Sequence, residues 1–308
     1  MIIVTGSEGF IGKNLFNKLN ELYPNKRIIG LDVKCGSIYE IENFLIKNKH
    51  VIDFIFHLGA ITDTKCTDVD KLKSFNLYSS IFMWYFSTYN NIPLIYASSA
   101  ATYGDGSNGF SDYTSPNDLK PLNPYGESKN DFDKWAFKKG SQAPPFWAGL
   151  KFFNVYGYEE RHKNDMASVV LHFYRQIKKT GSVRLFKSHK TDIPNGEQKR
   201  DFIYVDDIVD VCINMYNVQP FNGLFNVGTG KARSYNDIAN IIFKYFELEP
   251  NIEYIDIPDK IKDSYQYFTE ANIDKLKQSG CNVNFCELES GIFKYLNKLN
   301  YEDCEYYL

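Results

Sequence analysis

No hydrophobic run in the chain approaches the about 20 residues that a membrane-spanning helix needs, so no membrane partner is expected. Neither charge dominates: 35 Lys and Arg against 38 Asp and Glu leave a formal net charge of -3, without the basic footprint of a nucleic-acid-binding protein. The cysteines at 35, 66, 212, 281, 286 and 304 show neither CxxC nor zinc-ligand spacing. That argues against a metal centre and a thiol-redox motif, and points to free thiols in a reducing cytoplasm. "MIIVTG" carries no basic stretch ahead of its apolar run, so no secretory signal is expected either. What is abundant is apolar residue, 44% of 308, enough for a sizeable core in one two-lobed unit or two small domains.

Apolar runs alternate with helical spacing through the first half. "MIIVTG", "RIIGLDV", "VIDFIFHLGA", "IPLIYASS" and "FWAGLKFFNVYG" read as strands, and 10–22, 37–48, 70–90 and 125–139 as helices. Such alternation predicts a doubly wound α/β fold, a parallel sheet covered on both faces. From about 154 the pattern loosens into short elements and polar loops. We therefore expect a cofactor domain over 1–153 and a smaller, partly interleaved substrate lobe over 154–308, some of whose segments return to the first. The polar connection 187–199 reads as a lid, a binding loop or disorder. "YNDIANIIFKYFEL" and "LESGIFKYLNKLN" are amphipathic helices of the second lobe, and "YEDCEYYL" reads as a loosely held tail.

"VTGSEGFIG" places Gly6, Gly9 and Gly12 between the first strand and a helix. Glycines there permit a tight turn and close approach of backbone to a pyrophosphate seated on the positive helix end. Asp32 follows at the end of the second strand, where a carboxylate accepts hydrogen bonds from adenosine ribose hydroxyls. Loop and acid together indicate a Rossmann-type dinucleotide site. Glu8 must point away from the phosphates. Lys34 offers a cation to a 2′-phosphate, so Asp32 alone leaves NAD and NADP both open. "PYGESK" puts Tyr125 and Lys129 four apart on one helical face. They form either an ordinary surface pair or an acid/base unit in which the ammonium lowers the phenol's pKa toward neutrality. Ser99, ending "IYASS", supplies a hydroxyl at the carboxyl edge of the same sheet, where ligands of open α/β folds bind. Lys163, taken alone, reads as one more solvated loop lysine.

With Gly6-x-x-Gly9-x-x-Gly12, Ser99 and Tyr125-x-x-x-Lys129 in place, the chain resembles the extended short-chain dehydrogenase/reductase family over nearly its whole length. "YASSAATYG", "KRDFIYVDD" and "FNVGTG" are shared widely among its nucleotide-sugar enzymes. "FNVYG…HK…MASVVLH" and "YQYFT" are more particular to its heptose 6-epimerases. The resemblance implies an NADP-dependent (NAD possible) nucleotide-sugar epimerase working on a nucleotide-diphosphate heptose, in the cytoplasm, as a homo-oligomer such as a pentamer. It implies oxidation at C6 and return of hydride to the opposite face, with Tyr125 serving one face and Lys163 the other. Carried over by position, Phe10, Ile11, Asp32, Val33 and Leu58 line the cofactor. So do Gly59, Ala60, Asn76, Lys129, Val155 and Lys163. Asn154, Asp165, His172 and Phe186 line the substrate, with Ser188, Tyr265 and Arg200, whose fork suits a diphosphate; Lys187 and His189 are possible helpers.

The chain also departs from that pattern. Tyr158-Glu159 replaces the family's Pro-Arg, and Asp165 replaces a Ser. The 187–199 loop is long, and the short span between Asp32 and His57 leaves the strand that normally borders the adenine shortened or missing. "SAATYG" lacks the acid pair of the 4,6-dehydratases. A 4-epimerase, a reductase or another heptose nucleotide as substrate stay open, as does a non-catalytic dinucleotide-binding regulator.

Overall fold

The computed structural model describes residues 1–262 and 265–305. The apolar runs of the first half become strands of one parallel sheet: β1 (Ile2–Thr5), β2 (Ile28–Leu31), β3 (Phe54–His57), β4 (Leu94–Ser99) and β5 (Trp147–Phe152). A later strand, β9 (Gly223–Val227), completes it, giving the order β2-β1-β3-β4-β5-β9. Parallel strands are covered on both faces, which is why these runs are continuously apolar. Alternate side chains divide between two cores. Ile2, Val4, Phe54 and Phe56 face one side, while Ile3, Ile55, Leu94 and Tyr96 face the other. Helices α1 (Phe10–Leu22), α2 (Ile38–Asn48), α3 (Val69–Leu72), α4 (Ser79–Tyr89) and α5 (Pro124–Phe137) connect the strands. The chain passes from β2 to β3 through α2 and a short turn with no strand outside β2, so β2 is the sheet edge where the adenine strand would lie.

Two further sheets arise in the second half. β6 (Asn154–Tyr156) pairs parallel with β8 (Lys199–Tyr204), which pairs antiparallel with β10 (Ala232–Ser234). β7 (Val183–Phe186) lies parallel to β11 (Ile252–Ile255). With these sheets stand α6 (Val169–Thr180), α8 (Tyr235–Tyr245) and α11 (Leu288–Glu305), around Tyr156, Phe173, Tyr204, Ile242, Ile292 and Leu296. α7 (Val205–Val218) instead packs on α1, and β9 (Gly223–Val227) joins the first sheet. Two short helices, α9 (Asp259–Lys262) and α10 (Asp274–Gln278), complete the chain.

Three expectations need correction. The run 146–157 is two strands: at Phe153, whose N–H bonds the Val227 carbonyl, the chain leaves the first sheet for the second. The 70–90 helix contains a π turn at Lys73–Tyr78, the kind of local irregularity that re-aims a side chain. The C-terminal stretch is not loose where it is described, because α11 runs to Glu305; 306–308 and the Cys304 side chain lie outside the described residues. The 187–199 connection is a folded loop. Lys187 N–H bonds the Ile255 carbonyl, and Asn236 bonds Asn195 O and Glu197. Among the described residues no helix is long and apolar enough to cross a membrane.

Beneath the carboxyl edge of the first sheet lies a buried ion pair. Lys151 of β5 and Asp133 of α5, 1% and 0% exposed, meet at 2.6 Å. Lys151 also donates to Thr102 Oγ1, and Asp133 accepts from Ser98 Oγ and Tyr96 Oη. A buried pair with its remaining bonds satisfied costs heavily only when one partner is removed. Asp133→Ala should therefore lower stability by about 3–5 kcal/mol. The double change Asp133→Leu with Lys151→Met should recover much of that loss. Urea unfolding midpoints read both, and an Asp133→Ala midpoint equal to the parent's would contradict this account.

Candidate active site

The loop after β1 is built so that side chains are excluded. Gly6 has φ of 71°, and a Cβ on it would lie 2.7 Å from Gly59 Cα. A Cβ on Gly12 would lie 2.0 Å from the Gly6 carbonyl oxygen. Phe10 opens α1, whose first turn carries no acid, leaving its positive end available to an anion. Glu8 is exposed, and its backbone N–H donates to Asp32 Oδ2 at 3.1 Å while Lys34 N–H donates to Oδ1 at 2.9 Å. Two amides thus aim the carboxylate and leave lone pairs for hydroxyl donors. Lys34 Nζ reaches the Glu8 carbonyl at 3.1 Å, and Val33 between them is exposed.

Around this loop, Ile11 is half-buried in α1, and Leu58, Gly59 and Ala60 line the exit of β3, with Gly59 N–H bonded to Thr5 Oγ1. His57 bridges Thr5 and Ser80 at 2.8 and 3.1 Å. Burial, seconded by the charge of Lys129, holds its pKa down to about 3, so it is a neutral tether. Asn76, in the π turn, bonds the backbone of Ile61 twice and Ser128 Oγ once. Its amide ties the loop after β3 to α5. The glycine cradle, the open helix end and the aimed carboxylate fit a dinucleotide.

Tyr125 and Lys129 owe their placement to the start of α5. Asn123 caps it by accepting from Gly126 N–H at 2.8 Å, and Pro124 occupies the first turn. A Cβ on Gly126 would lie 2.8 Å from the Ala101 carbonyl oxygen, so only glycine lets α5 press against the turn after β4. Tyr125, Lys129 and Asp133 follow at four-residue intervals along the face toward the sheet. Lys129 Nζ donates to the Ala97 carbonyl at 3.1 Å, and burial brings its pKa down to about 8 against the opposing pull of Asp133. The expected lowering of the Tyr125 phenol does not occur in the protein alone. Burial pushes it up, and a hydrogen bond with Ser99 only opposes that. Ser99 Oγ also accepts from Ala101 N–H.

Lys163 comes from the other half. After β6 the chain turns through Gly157, Glu159 and Asn164, with φ of 143°, 73° and 48°. This turn docks on α1: Asn14 donates to the Tyr158 carbonyl at 2.9 Å and Lys13 pairs with Glu159 at 2.9 Å. Tyr158 Oη bonds Glu302 of α11 on the far side. Tyr158 and Glu159, two of the three residues that depart from the resembled pattern, are therefore its anchors. Lys163 Nζ lies 5.6 Å from the Phe10 ring centroid, at the lip of the glycine loop. Burial lowers its ammonium pKa, with Glu160 raising it. Val155 is half-buried, Asn154 is open to solvent with its Oδ1 near Thr269, and Asp165 is exposed.

Phe186, Arg200 and Tyr265 do come together. Arg200, 6% exposed, donates to the carbonyls of Lys199 and Gln266, with its Cζ 5.5 Å from the Tyr265 ring and 5.9 Å from Tyr235. Phe186 meets Tyr265 edge-on at 6.0 Å, and Tyr267 flanks Tyr265 at 5.6 Å. Ser188 turns its hydroxyl onto Lys190 of its own loop, His189 N–H bonds Tyr267, and Lys187 pairs with Asp256 at 3.2 Å. His172 is half-buried on α6 and joins none of these contacts. Sequence reasoning missed Tyr235 and Tyr267 in the aromatic wall, because neither sits in a spacing that marks it. It also missed Glu160, which adjoins Glu159 in an otherwise ordinary polar stretch. Gly12→Ala must displace the Gly6 carbonyl. It should abolish retention of a dinucleotide, read as loss of nicotinamide absorbance in the purified protein, and an undiminished spectrum would refute the cradle.

The NAD dependent epimerase/dehydratase family matches residues 2–228. The chain is similar to the ADP-L-glycero-D-manno-heptose-6-epimerase of Fusobacterium nucleatum, 41% identical over 98% of this chain and 99% of that protein. It is also similar to that of Nitratidesulfovibrio vulgaris, 42% identical over 97% of each. Among solved structures, the Helicobacter pylori ADP-L-glycero-D-manno-heptose-6-epimerase superposes with a TM-score of 0.81 at 27% identity, covering 97% of this chain and 96% of that one. With a Gly-rich loop, a Ser–Tyr–Lys set at the sheet's carboxyl edge and these likenesses, the chain belongs to the NAD dependent epimerase/dehydratase family and is an epimerase.

Proposed function

We propose that the protein is an ADP-glycero-manno-heptose 6-epimerase that uses NADP, and that Tyr125 and Lys163 are its two proton carriers. The observation that carries this reading is that two sheltered titratable groups, a phenol on α5 and an amine on the turn after β6, come to the dinucleotide cleft from different halves of the chain. A single carrier serves one face of a ketone, whereas inversion needs one on each. When bound, the nicotinamide supplies the hydride acceptor and donor. Ser99 and Tyr125 hold the C6 hydroxyl on one face, where Tyr125 takes or returns its proton. Lys163 does the same on the opposite face, helped by a lowered pKa that leaves more free amine near neutrality. Lys129 holds the ribose, and Arg200 with Phe186 and Tyr265 holds the nucleotide end of the substrate. Lys34 serves the 2′-phosphate of NADP. The lobes divide at 153/154, and the enzyme works in the cytoplasm as a homo-oligomer.

Tyr125→Phe and Lys163→Ala should each lower inversion by about 10²–10⁴-fold, the span of general acid–base effects. Each should still exchange hydride on the face whose carrier remains. NMR assays with ADP- and GDP-heptoses, with cofactor occupancy confirmed, read both quantities. Near-parent inversion by Lys163→Ala would make Lys163 a surface lysine.

Lys34→Ala removes one charge-assisted contact, so NADP should bind about 10–100-fold more weakly while NAD is little affected. Equal losses for the two cofactors in a titration would place the 2′-phosphate elsewhere.

A further inference from the structure

Glu160 is 1% exposed, and its carboxylate joins both ends of the turn that carries Lys163. Oε1 accepts from Gly157 N–H at 3.2 Å and Ser168 Oγ at 2.6 Å, and Oε2 accepts from Ser168 N–H. The Glu160 carbonyl accepts from Lys163 N–H at 2.9 Å. One side chain thus closes the loop from Gly157 to Ser168, inside which Glu159 and Asn164 keep left-handed backbone. Such conformations persist only where surrounding contacts impose them. The groups that face Glu160 are the Tyr295 phenol of α11, which Arg161 and Arg175 also face, and Lys163. Lys163 in turn faces the Phe10 ring of α1 and His162 beside it, and His162 faces Lys34 from the end of β2.

We propose that Glu160 is the positioning residue of Lys163: its carboxylate staples the turn that carries the amine to the cleft and is the negative charge that the amine answers to. This rests on the reading of Lys163 as the second proton carrier, and Glu160 acts through Lys163 without touching substrate. A staple alone would need only hydrogen-bond acceptors. A counter-charge also sets the pH at which Lys163 gives up its proton, because a negative neighbour favours the charged ammonium. Removing that charge favours the free amine, so the Lys163 titration moves to lower pH.

The test measures Lys163 itself in the cofactor-loaded enzyme, by trace acetylation with acetic anhydride across a pH series and mass spectrometry of the Lys163 peptide. In Glu160→Gln the labelling midpoint should move to lower pH. The kcat for inversion should fall about tenfold or more with KM little changed, as expected when a group in the reacting geometry is displaced. Glu160→Asp, which keeps the charge but shortens the staple, should keep the parent midpoint and lose kcat. Ser168→Ala, a milder change that leaves the carboxylate in place, should do the same to a smaller extent. An unmoved midpoint in Glu160→Gln, or a parent-like kcat in both Glu160→Asp and Ser168→Ala, would overturn the proposal. Because labelling reports the amine without requiring turnover, a midpoint that moves while the parent's pH–rate profile shows no limb at that pH upholds the Glu160–Lys163 coupling. It refutes instead the role of Lys163 as a proton carrier.

Discussion

The contact between Asp133 and Lys151 is the constraint on which the placement of Tyr125 and Lys129 depends. It is charged, fully enclosed and shared by α5, β5, β4 and the turn after β4, with Tyr96, Ser98 and Thr102 as further partners. Hydrophobic contacts alone tolerate sliding of a helix over a sheet, because they have little directionality. A buried carboxylate with three polar partners does not, since displacement leaves an uncompensated charge in a low dielectric. Asp133 lies one turn beyond Lys129 and two beyond Tyr125, so the register it imposes on α5 is the register of both. Its charge also holds up the ammonium of Lys129, whose pKa burial alone would lower further.

The second half solves a different problem, the docking of the Lys163 turn on α1 of the first. The break at Phe153 sends the chain from the parallel sheet into the smaller one within a single residue, which puts the turn beyond β6 beside α1. There Lys13 and Asn14 receive it, Glu302 holds Tyr158 from the other side, and Glu160 closes it from within. α7 and β9 return to the first core, so the two halves are joined by packing as well as by the covalent crossing. Such joining fixes the elements that line the cleft relative to one another.

Much of this was legible in the sequence where the signal is local. Backbone sterics require glycine at the loop after β1, parallel pairing demands unbroken apolar runs, and helical spacing alone puts Tyr125 and Lys129 on one face. Turn chemistry marks where α5 begins at Asn123-Pro124. These features follow from residues within a few positions of one another, so one strand of text contains them. The resemblance extended that reach to Lys163 and Arg200, whose meaning lies in what they meet.

What only tertiary structure decided is whatever depends on burial and on partners far along the chain. The sequence cannot distinguish Glu159, which faces Lys13 at the surface of α1, from Glu160, which is enclosed; the difference is which way a left-handed turn points each carboxylate. The Tyr125 phenol and the Lys129 ammonium were read as a pair that lowers the phenol. Desolvation, which no spacing records, raises the phenol and lowers the amine instead. The aromatic wall of Tyr235, Tyr265 and Tyr267 around Arg200 is likewise assembled from segments some thirty residues apart or more. By itself, then, the sequence determined the sheet, the glycine cradle and the helix face, because each is enforced by local sterics and periodicity. The protonation behaviour of the site and the posture of Lys163 were set by folding, because electrostatic energies depend on distance and dielectric, and those exist only once the chain has closed on itself.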